Sequence, residues 1–323
     1  MRAVEIRRPG ELPIVVDREP PRCGPGEVLV EVVAAPITPL DVLCATGESY
    51  FGVPQVPYVP GVQGVGRVDG TVYWFPTTAG MRPGDGSMAA VVAVPEADLV
   101  VLPDDLDPTV MAALGVSAMA ALLALTWRGN MVAGEQVIVL GAGGVVGQVA
   151  VQLALIGGAR RVVAAARSTA AQARARNAGA HEVVALDTDD VTELVRRLED
   201  KLDGPADLVV DPLWGVPAAA AARVLGSGGR LVNLGSAAGE TSPLTSAVLR
   251  SKSLRVLGYT NNELTPDQRA AAISHIARLA TQGQLTVTHQ VVTFDEVATG
   301  WKAQSSGAVG GRVVLEPKLA SSQ

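Results

Sequence analysis

Val137-Ile-Val-Leu-Gly-Ala-Gly-Gly-Val-Val-Gly-Gln-Val-Ala-Val-Gln-Leu-Ala-Leu-Ile156 decides how the rest of the chain is read. A run of Val, Ile and Leu stops at Gly141, Gly143, Gly144 and Gly147, then resumes as an apolar segment of helical composition. That order predicts a strand, a tight turn and a helix. Glycine at such a turn lets a diphosphate approach the backbone N–H groups of a helix start, because no Cβ stands in the way. The spacing Gly141, Gly144, Gly147 is a G-x-x-G-x-x-G variant of the commoner G-x-G-x-x-G, whose last position is held here by Val146. Taken alone, the cluster also suits a plain turn in any α/β sheet.

Context favours a nucleotide. About 20 residues after the last glycine, where a dinucleotide unit presents Asp or Glu to the ribose 2′-hydroxyl, the chain has Arg167-Ser168 after the strand-like Arg161-Val-Val-Ala-Ala-Ala166. An arginine there attracts a 2′-phosphate, so the pocket is expected to prefer NADPH over NADH. The other reading of Arg167 is a solvated surface charge.

The remaining composition sets limits. With 323 residues there is room for two domains, 48% of residues are apolar, and disorder is excluded. The net charge is −6 and no Lys/Arg-rich block occurs, which argues against nucleic acid or an anionic membrane surface as a partner. The first residues lack the apolar core of a signal peptide, and the longest uncharged apolar run, Val116 to Trp127, is short for a bilayer. A cytoplasmic location is the expectation. Two cysteines, Cys23 and Cys44, and three scattered histidines, His181, His275 and His289, offer neither a disulfide framework nor a convincing set of metal ligands, so no metal site is expected.

Before the glycine stretch, short β runs broken by Pro and Gly (Leu29 to Val33, Gly64 to Val68, Val72 to Phe75, Met88 to Val94, Leu99 to Leu102) read as an antiparallel, partly closed β lobe. Tyr50, Phe51, Tyr58, Tyr73, Trp74 and Phe75 crowd into it, as a ligand cavity or as the lobe's core. Asp107-Pro108 opens an Ala/Leu-rich helical stretch leading to the glycine strand. Strands and helices then alternate through Leu254 to Gly258. Six strands so spaced predict a doubly wound parallel sheet, with ligands at the strand ends: Gly141 to Gly144, Arg167-Ser168, Asp211-Pro212 and Gly235-Ser236. Thr265-Pro-Asp-Gln268 carries a capping-box spacing, and Gly311-Arg-Val-Val-Leu-Glu-Pro317 reads as a last strand returning to the N-terminal lobe.

Several segments together carry a resemblance: Pro57-Tyr-Val-Pro-Gly61, Leu102-Pro-Asp104, Ala133-Gly-Glu-Gln-Val-Ile-Val-Leu-Gly-Ala-Gly-Gly-Val-Val-Gly147, Val151-Gln-Leu-Ala154, Gly228-Gly-Arg-Leu-Val232 and the Gly311 segment. Over nearly its whole length the chain resembles the medium-chain dehydrogenase/reductase superfamily, in its zinc-independent, quinone oxidoreductase-like branch that includes zeta-crystallin. The resemblance implies an α/β fold with a Rossmann domain at 119–259 and a discontinuous GroES-like, mainly antiparallel β domain at 1–118 and 260–323. It also implies hydride transfer from NADPH to a quinone or α,β-unsaturated carbonyl, in a homodimer paired through the edge of the Rossmann sheet.

The departures matter. Zinc-dependent relatives place Gly-His-Glu at Gly61-Val62-Gln63, so the metal-binding histidine is Val62 here. Relatives with Asn-Pro-x-Asp followed by tyrosine are matched by Thr38-Pro39-Leu40-Asp41 with Leu43 at the tyrosine position, and the usual lysine after the 2′-phosphate serine is Ala171. The site expected from the resemblance comprises Gly141, Ala142, Gly144, Val145, Val146 and Gly147 for the diphosphate, Arg167 and Ser168 for the 2′-phosphate, Gly235 and Ser236 at a neighbouring strand end, and Arg312 either on the diphosphate or paired with a surface acid. Catalytic candidates are Thr38, toward the nicotinamide side, and Tyr50, as a carbonyl or proton donor or else a ring packed on the lobe; backbone N–H groups are the alternative donors. Pro39 and Asp41 read as turn and scaffold, and Cys44 as a buried thiol. Two other functions stay open: a catalytically weak, crystallin-like NADPH-binding protein, and an S-adenosylmethionine-type transferase, which predicts an acid where Arg167 stands and leaves the β lobe unexplained.

Overall fold

A computed structural model of the protein describes residues 1–317. The chain divides into two compact units, one made of Met1–Gly115 with the chain from Thr265 onward, the other of Val116–Leu264. The expectation from sequence put these bounds at 118 and 260; residues 318–323 lie outside the described residues.

The first unit opens with two short antiparallel strands, β1 (Arg2–Glu5) and β2 (Ile14–Asp17). Neither is expected from sequence, because four-residue strands that include charged residues show no clear period. A long strand, β3 (Glu27–Ile37), runs into helix α1 (Pro39–Thr46), followed by β4 (Gln63–Val68), β5 (Thr71–Pro76), β6 (Val91–Pro95) and the two-residue β7 (Val100–Val101). Helix α2 (Pro108–Leu123) leaves this unit and passes through a non-helical Gly115 (φ 28°, ψ −124°) into a π-helical turn, Ala124–Arg128. A Cβ at Gly115 would lie 1.8 Å from Gln63 Oε1, so only glycine fits. The run Pro108–Arg128 is long and apolar enough to cross a membrane by length and composition, which corrects the shorter span read from sequence; 78% of its apolar window is buried inside the protein, as in a core helix.

The second unit is the alternating one: β8 (Gln136–Leu140), α3 (Val145–Ile156), β9 (Arg161–Ala166), α4 (Thr169–Asn177), β10 (Glu182–Ala185), α5 (Val191–Glu199), β11 (Ala206–Asp211), α6 (Gly215–Val224), β12 (Leu225–Asn233), α7 (Ser246–Ser251) and β13 (Arg255–Gly258). All six strands are parallel in the order β10-β9-β8-β11-β12-β13. This is the doubly wound Rossmann arrangement, whose order reverses at β8. Every residue of β8 is buried, with Val137 opposite Val162 and Ile138 opposite Val209, which is why it reads as an unbroken apolar run. Each such side chain contributes about 1.5–3 kcal/mol on burial. Asp190 caps α5 by accepting from the Thr192 and Glu193 N–H groups.

The chain then returns as α8 (Pro266–Thr281), which starts on the Thr265/Gln268 capping box, β14 (His289–Thr293), α9 (Val297–Ser305) and β15 (Arg312–Glu316). β15 lies antiparallel to β3, so the end of the described chain closes a sheet of order β14-β15-β3-β4-β5-β7, with β6 pairing on β3. All its pairings but β14-β15 are antiparallel, as in a GroES-like domain. Ile37, Phe75, Met88, Phe294, Trp301 and Val313 belong to its core.

Candidate functional site

The glycine turn sits where β8 ends, at the reversal of strand order. Each glycine has a different task. Gly141 adopts φ 63°, and a Cβ there would press 3.1 Å from Pro212 and Leu213. Gly147 faces the strand; a Cβ would stand 2.4 Å from Ala142 Cα and 2.5 Å from Gly141 O, so glycine permits the close approach of α3 to β8. Gly143 lies under α4, with Ala171 Cβ 2.3 Å from the place its own Cβ would take. Gly144 differs: it is exposed, and the nearest atom to an added Cβ is Gly141 O at 3.6 Å.

Gly144 is also the N-cap of α3 and supplies no side-chain cap. Helical geometry leaves the first-turn N–H groups of Val145, Val146 and Gly147 without intrahelical acceptors. A row of backbone donors at the positive end of a 12-residue helix, approached over an exposed glycine, is suited to a diphosphate. Ala142 is buried and tied to β9 through its N–H on Ala165 O at 3.0 Å.

Neighbouring strand ends form the rim. Arg167 and Ser168 are both exposed at the end of β9. Ser168 Oγ caps α4 by accepting from Ala171 N at 3.2 Å, keeping its own proton to donate. The loops after β11 and β12 are laced together: Asp211 Oδ1 accepts from Leu213 N (2.9 Å) and Trp214 N (2.8 Å), Asn233 Nδ2 donates to Asp211 Oδ2 (3.0 Å) and Gly235 O (2.8 Å), and Ala238 N donates to Leu213 O (2.8 Å). Burial pushes the Asp211 carboxyl above its ordinary value, against the pull of these bonds. Gly235 is half-buried beside Pro212, and Ser236 gives its hydroxyl proton to Glu240. Sequence reasoning misses the part Asp211 and Asn233 play in holding their own loops, because the two are 22 residues apart.

The first unit holds the other candidates, and they are arranged differently. Thr38 is buried and caps α1: its hydroxyl donates to Asp41 Oδ2 (2.6 Å) and accepts from Asp41 N (3.1 Å). Its single proton is therefore already placed within the capping box. Asp41 Oδ2 also accepts from Thr38 N (2.8 Å), while Oδ1 accepts from Gly61 N (3.0 Å) and Val62 N (2.8 Å). Burial raises the Asp41 carboxyl above its usual range, and hydrogen bonds from Thr38, Val62 and Gly61 oppose it.

Arg312 is just as deeply buried, with Nη1 donating to Ile37 O at 3.0 Å. Burial lowers it to about 10, with the Asp41 charge pulling the other way, so it stays cationic at neutral pH. Enclosed next to β3, Arg312 is no surface residue, so the surface pairing expected of it gives way to a buried contact on Ile37 O. Gln63, at the family's glutamate position, is buried too, accepting from Trp74 Nε1 (2.7 Å) and donating to Ala112 O (3.2 Å).

Tyr50 is 78% exposed, its ring 4.3 Å from that of Phe51. Tyr58, Trp74 and Phe75 are buried, which settles these three aromatics as core. Leu43 is exposed on α1 and lines a groove of about 260 Å³ with Pro39, Val42, Glu48 and Gln304. Burial pushes the Cys44 thiol up to about 11, so it is no nucleophile at neutral pH. Among the described residues no group of three or more His, Cys, Asp or Glu is placed to hold a metal ion.

A nucleotide cradle at the switch point of a Rossmann sheet, joined in one chain to a GroES-like β unit, defines a dehydrogenase/reductase of the two-domain type. The family model described as zinc-binding dehydrogenase matches residues 145–278. A quinone oxidoreductase from Thermus thermophilus, solved alone and with NADPH, is 32% identical with a TM-score of 0.80, covering 98% of this chain and 100% of its own. A zinc-type alcohol dehydrogenase-like protein of Schizosaccharomyces pombe is 31% identical over 72% of this chain and 68% of its own length. The synaptic vesicle membrane protein VAT-1 homolog of Rattus norvegicus is 27% identical over 92% and 78%. The chain belongs to the medium-chain dehydrogenase/reductase superfamily, in its quinone oxidoreductase-like branch, a family of NAD(P)-dependent oxidoreductases.

Proposed function

We propose that this chain is an NADPH-dependent reductase of quinones or α,β-unsaturated carbonyl compounds that works without zinc, as a cytoplasmic homodimer. The observation that carries the cofactor choice is the end of β9, where exposed Arg167 and Ser168 stand and no carboxylate offers itself to a ribose 2′-hydroxyl. The residues fit the cofactor: the Val145, Val146 and Gly147 N–H groups would hold a diphosphate, and Arg167 with the Ser168 hydroxyl would take the 2′-phosphate. NADPH, when bound, supplies the hydride. The protein's own share is orientation and charge stabilisation. Val62 in place of a histidine, held by its N–H on Asp41, removes the family's metal ligand, so a substrate whose conjugation spreads the developing negative charge is the better match. Tyr50 is the side chain with a free-standing hydroxyl to offer a proton to the resulting enolate, while Thr38 and Asp41 keep the α1 corner in place.

The test is NADPH oxidation by a panel of quinones and enones, before and after dialysis against EDTA. NADPH-dependent turnover unchanged by EDTA supports the reading. Binding of NADPH without turnover of any acceptor supports the crystallin-like alternative, which Leu43 at the tyrosine position favours. β13 is the exposed edge of the Rossmann sheet, with Val256 at 39% exposure, and is the proposed dimer edge.

A further inference from the structure

The part of the chain that carries the glycine turn has a charge pattern of its own. Between Glu135 and Glu182 there is no acidic residue, while Arg160, Arg161, Arg167, Arg174 and Arg176 all fall there, in a chain whose net charge is −6. Arg160 and Arg161, where β9 begins, are paired with Asp203 (3.2 Å) and Glu182 (3.7 Å). Arg167, at the other end of β9, and Arg174 and Arg176 on α4 make no ion pair among the described residues. Arg167 at the glycine-turn end of β9 and Arg174, bonded to the turn itself, thus leave positive charge without an acidic partner on that side of the strand.

Arg174 is the one of these three that the fold holds in place. It is half-buried, and its Nε donates to Gly143 O at 2.9 Å, in the middle of the glycine turn. The closeness of Ala171 to Gly143 lays α4 directly on that turn, so the anchor is rigid. A guanidinium has five N–H donors in a planar fork. One is used on Gly143 O, and the terminal nitrogens make no hydrogen bond among the described residues. An arginine held by Nε has lost much of its rotamer freedom before any ligand arrives, which lowers the entropy cost of using the rest of the fork.

We infer that Arg174 is a nucleotide-specificity residue: anchored on Gly143 O, it sets its terminal N–H groups beside Arg167 as the second cation for the 2′-phosphate of NADPH. The inference rests on the NADPH reading and deepens it. An exposed, unanchored Arg167 facing a phosphate of about −1.5 to −2 charge is a weak determinant alone, since exposed pairs are screened and pay side-chain entropy. A second, pre-positioned cation makes the subsite selective.

The experiment is calorimetric titration of wild type, Arg174→Gln and Arg174→Lys with 2′,5′-ADP and with 5′-ADP, each variant first checked for an unchanged melting temperature. The expected result is about a tenfold or greater loss of 2′,5′-ADP affinity in Arg174→Gln, with 5′-ADP unchanged within about twofold and an intermediate loss in Arg174→Lys. Equal weakening of both ligands would mean that Arg174 only braces the glycine turn, and would overturn the inference while leaving the NADPH reading intact. So would a wild-type preference for 2′,5′-ADP that survives in both variants. Wild-type protein without preference between the two ligands would overturn the NADPH reading itself and the inference with it. If Arg174→Gln does not fold, the folded Arg174→Lys decides by the same ratio of affinities.

Discussion

The glycine turn of the Rossmann unit and the α1 corner of the β unit are both helix N-termini, and they are finished in opposite ways. At α3 the N-cap is an exposed glycine without a side chain, and the first-turn donors have no side-chain cap. At α1 the N-cap Thr38 and its partner Asp41 satisfy one another, and Asp41 goes on to hold Gly61 and Val62 with Arg312 close by. The same backbone problem, orphan N–H groups at a helix start, is solved once by leaving room and once by filling it. The open end is where the sequence carries glycine; the closed end carries the short polar residues that cap.

The largest effect that would test this contrast is expected at the closed end. Asp41→Ala removes an acceptor of four hydrogen bonds at a buried corner and leaves the Thr38, Gly61 and Val62 N–H groups unsatisfied, which should lower stability by about 3 kcal/mol or more in urea denaturation. A loss below about 1 kcal/mol would show the corner to be less tightly coupled than its geometry suggests. Gly147→Ala should come next, at about 1–3 kcal/mol, because its Cβ meets backbone atoms that cannot step aside. Gly144→Ala sharpens the comparison from the other side. Its Cβ meets nothing closer than 3.6 Å, so the fold should be unchanged within about 0.5 kcal/mol, while NADPH binding measured by fluorescence should weaken about tenfold. Equal nucleotide affinity in Gly144→Ala and wild type would remove the cradle from the account. The smallest effect is chemical: in a thiol-reagent assay the native protein should show one rapidly modified thiol, the exposed Cys23, with the buried Cys44 reacting only on unfolding, since burial holds it near 11.

The open end is legible in the sequence because its parts are contiguous. Strand, glycines and helix lie within 20 residues, and the alternation that follows repeats a period short enough to read. The doubly wound character of the sheet and the return of the last strand also follow from local runs and turn signals. The closed end is not legible, because what makes it is distant: Arg312 meets Ile37 across 275 residues, and Asp41 meets Val62 across 21. Thr38-Pro-Leu-Asp41 reads as a turn because the capping box is completed here by Asp rather than the commoner Glu or Gln. Arg174 escapes notice for a related reason. Six positions beyond Ser168 it lies outside any motif spacing, and only the docking of α4 on Gly143 brings it to the loop.

The central claim is that the open end takes a 2′-phosphorylated dinucleotide. It is tested most directly by fluorescence titration of the full chain with NADPH and NADH, repeated on Arg167→Glu. The account predicts that wild type prefers NADPH by about tenfold or more and that the preference collapses or reverses in the variant while the melting temperature holds. Equal affinity of wild type for the two nucleotides, or no binding of either, would contradict it.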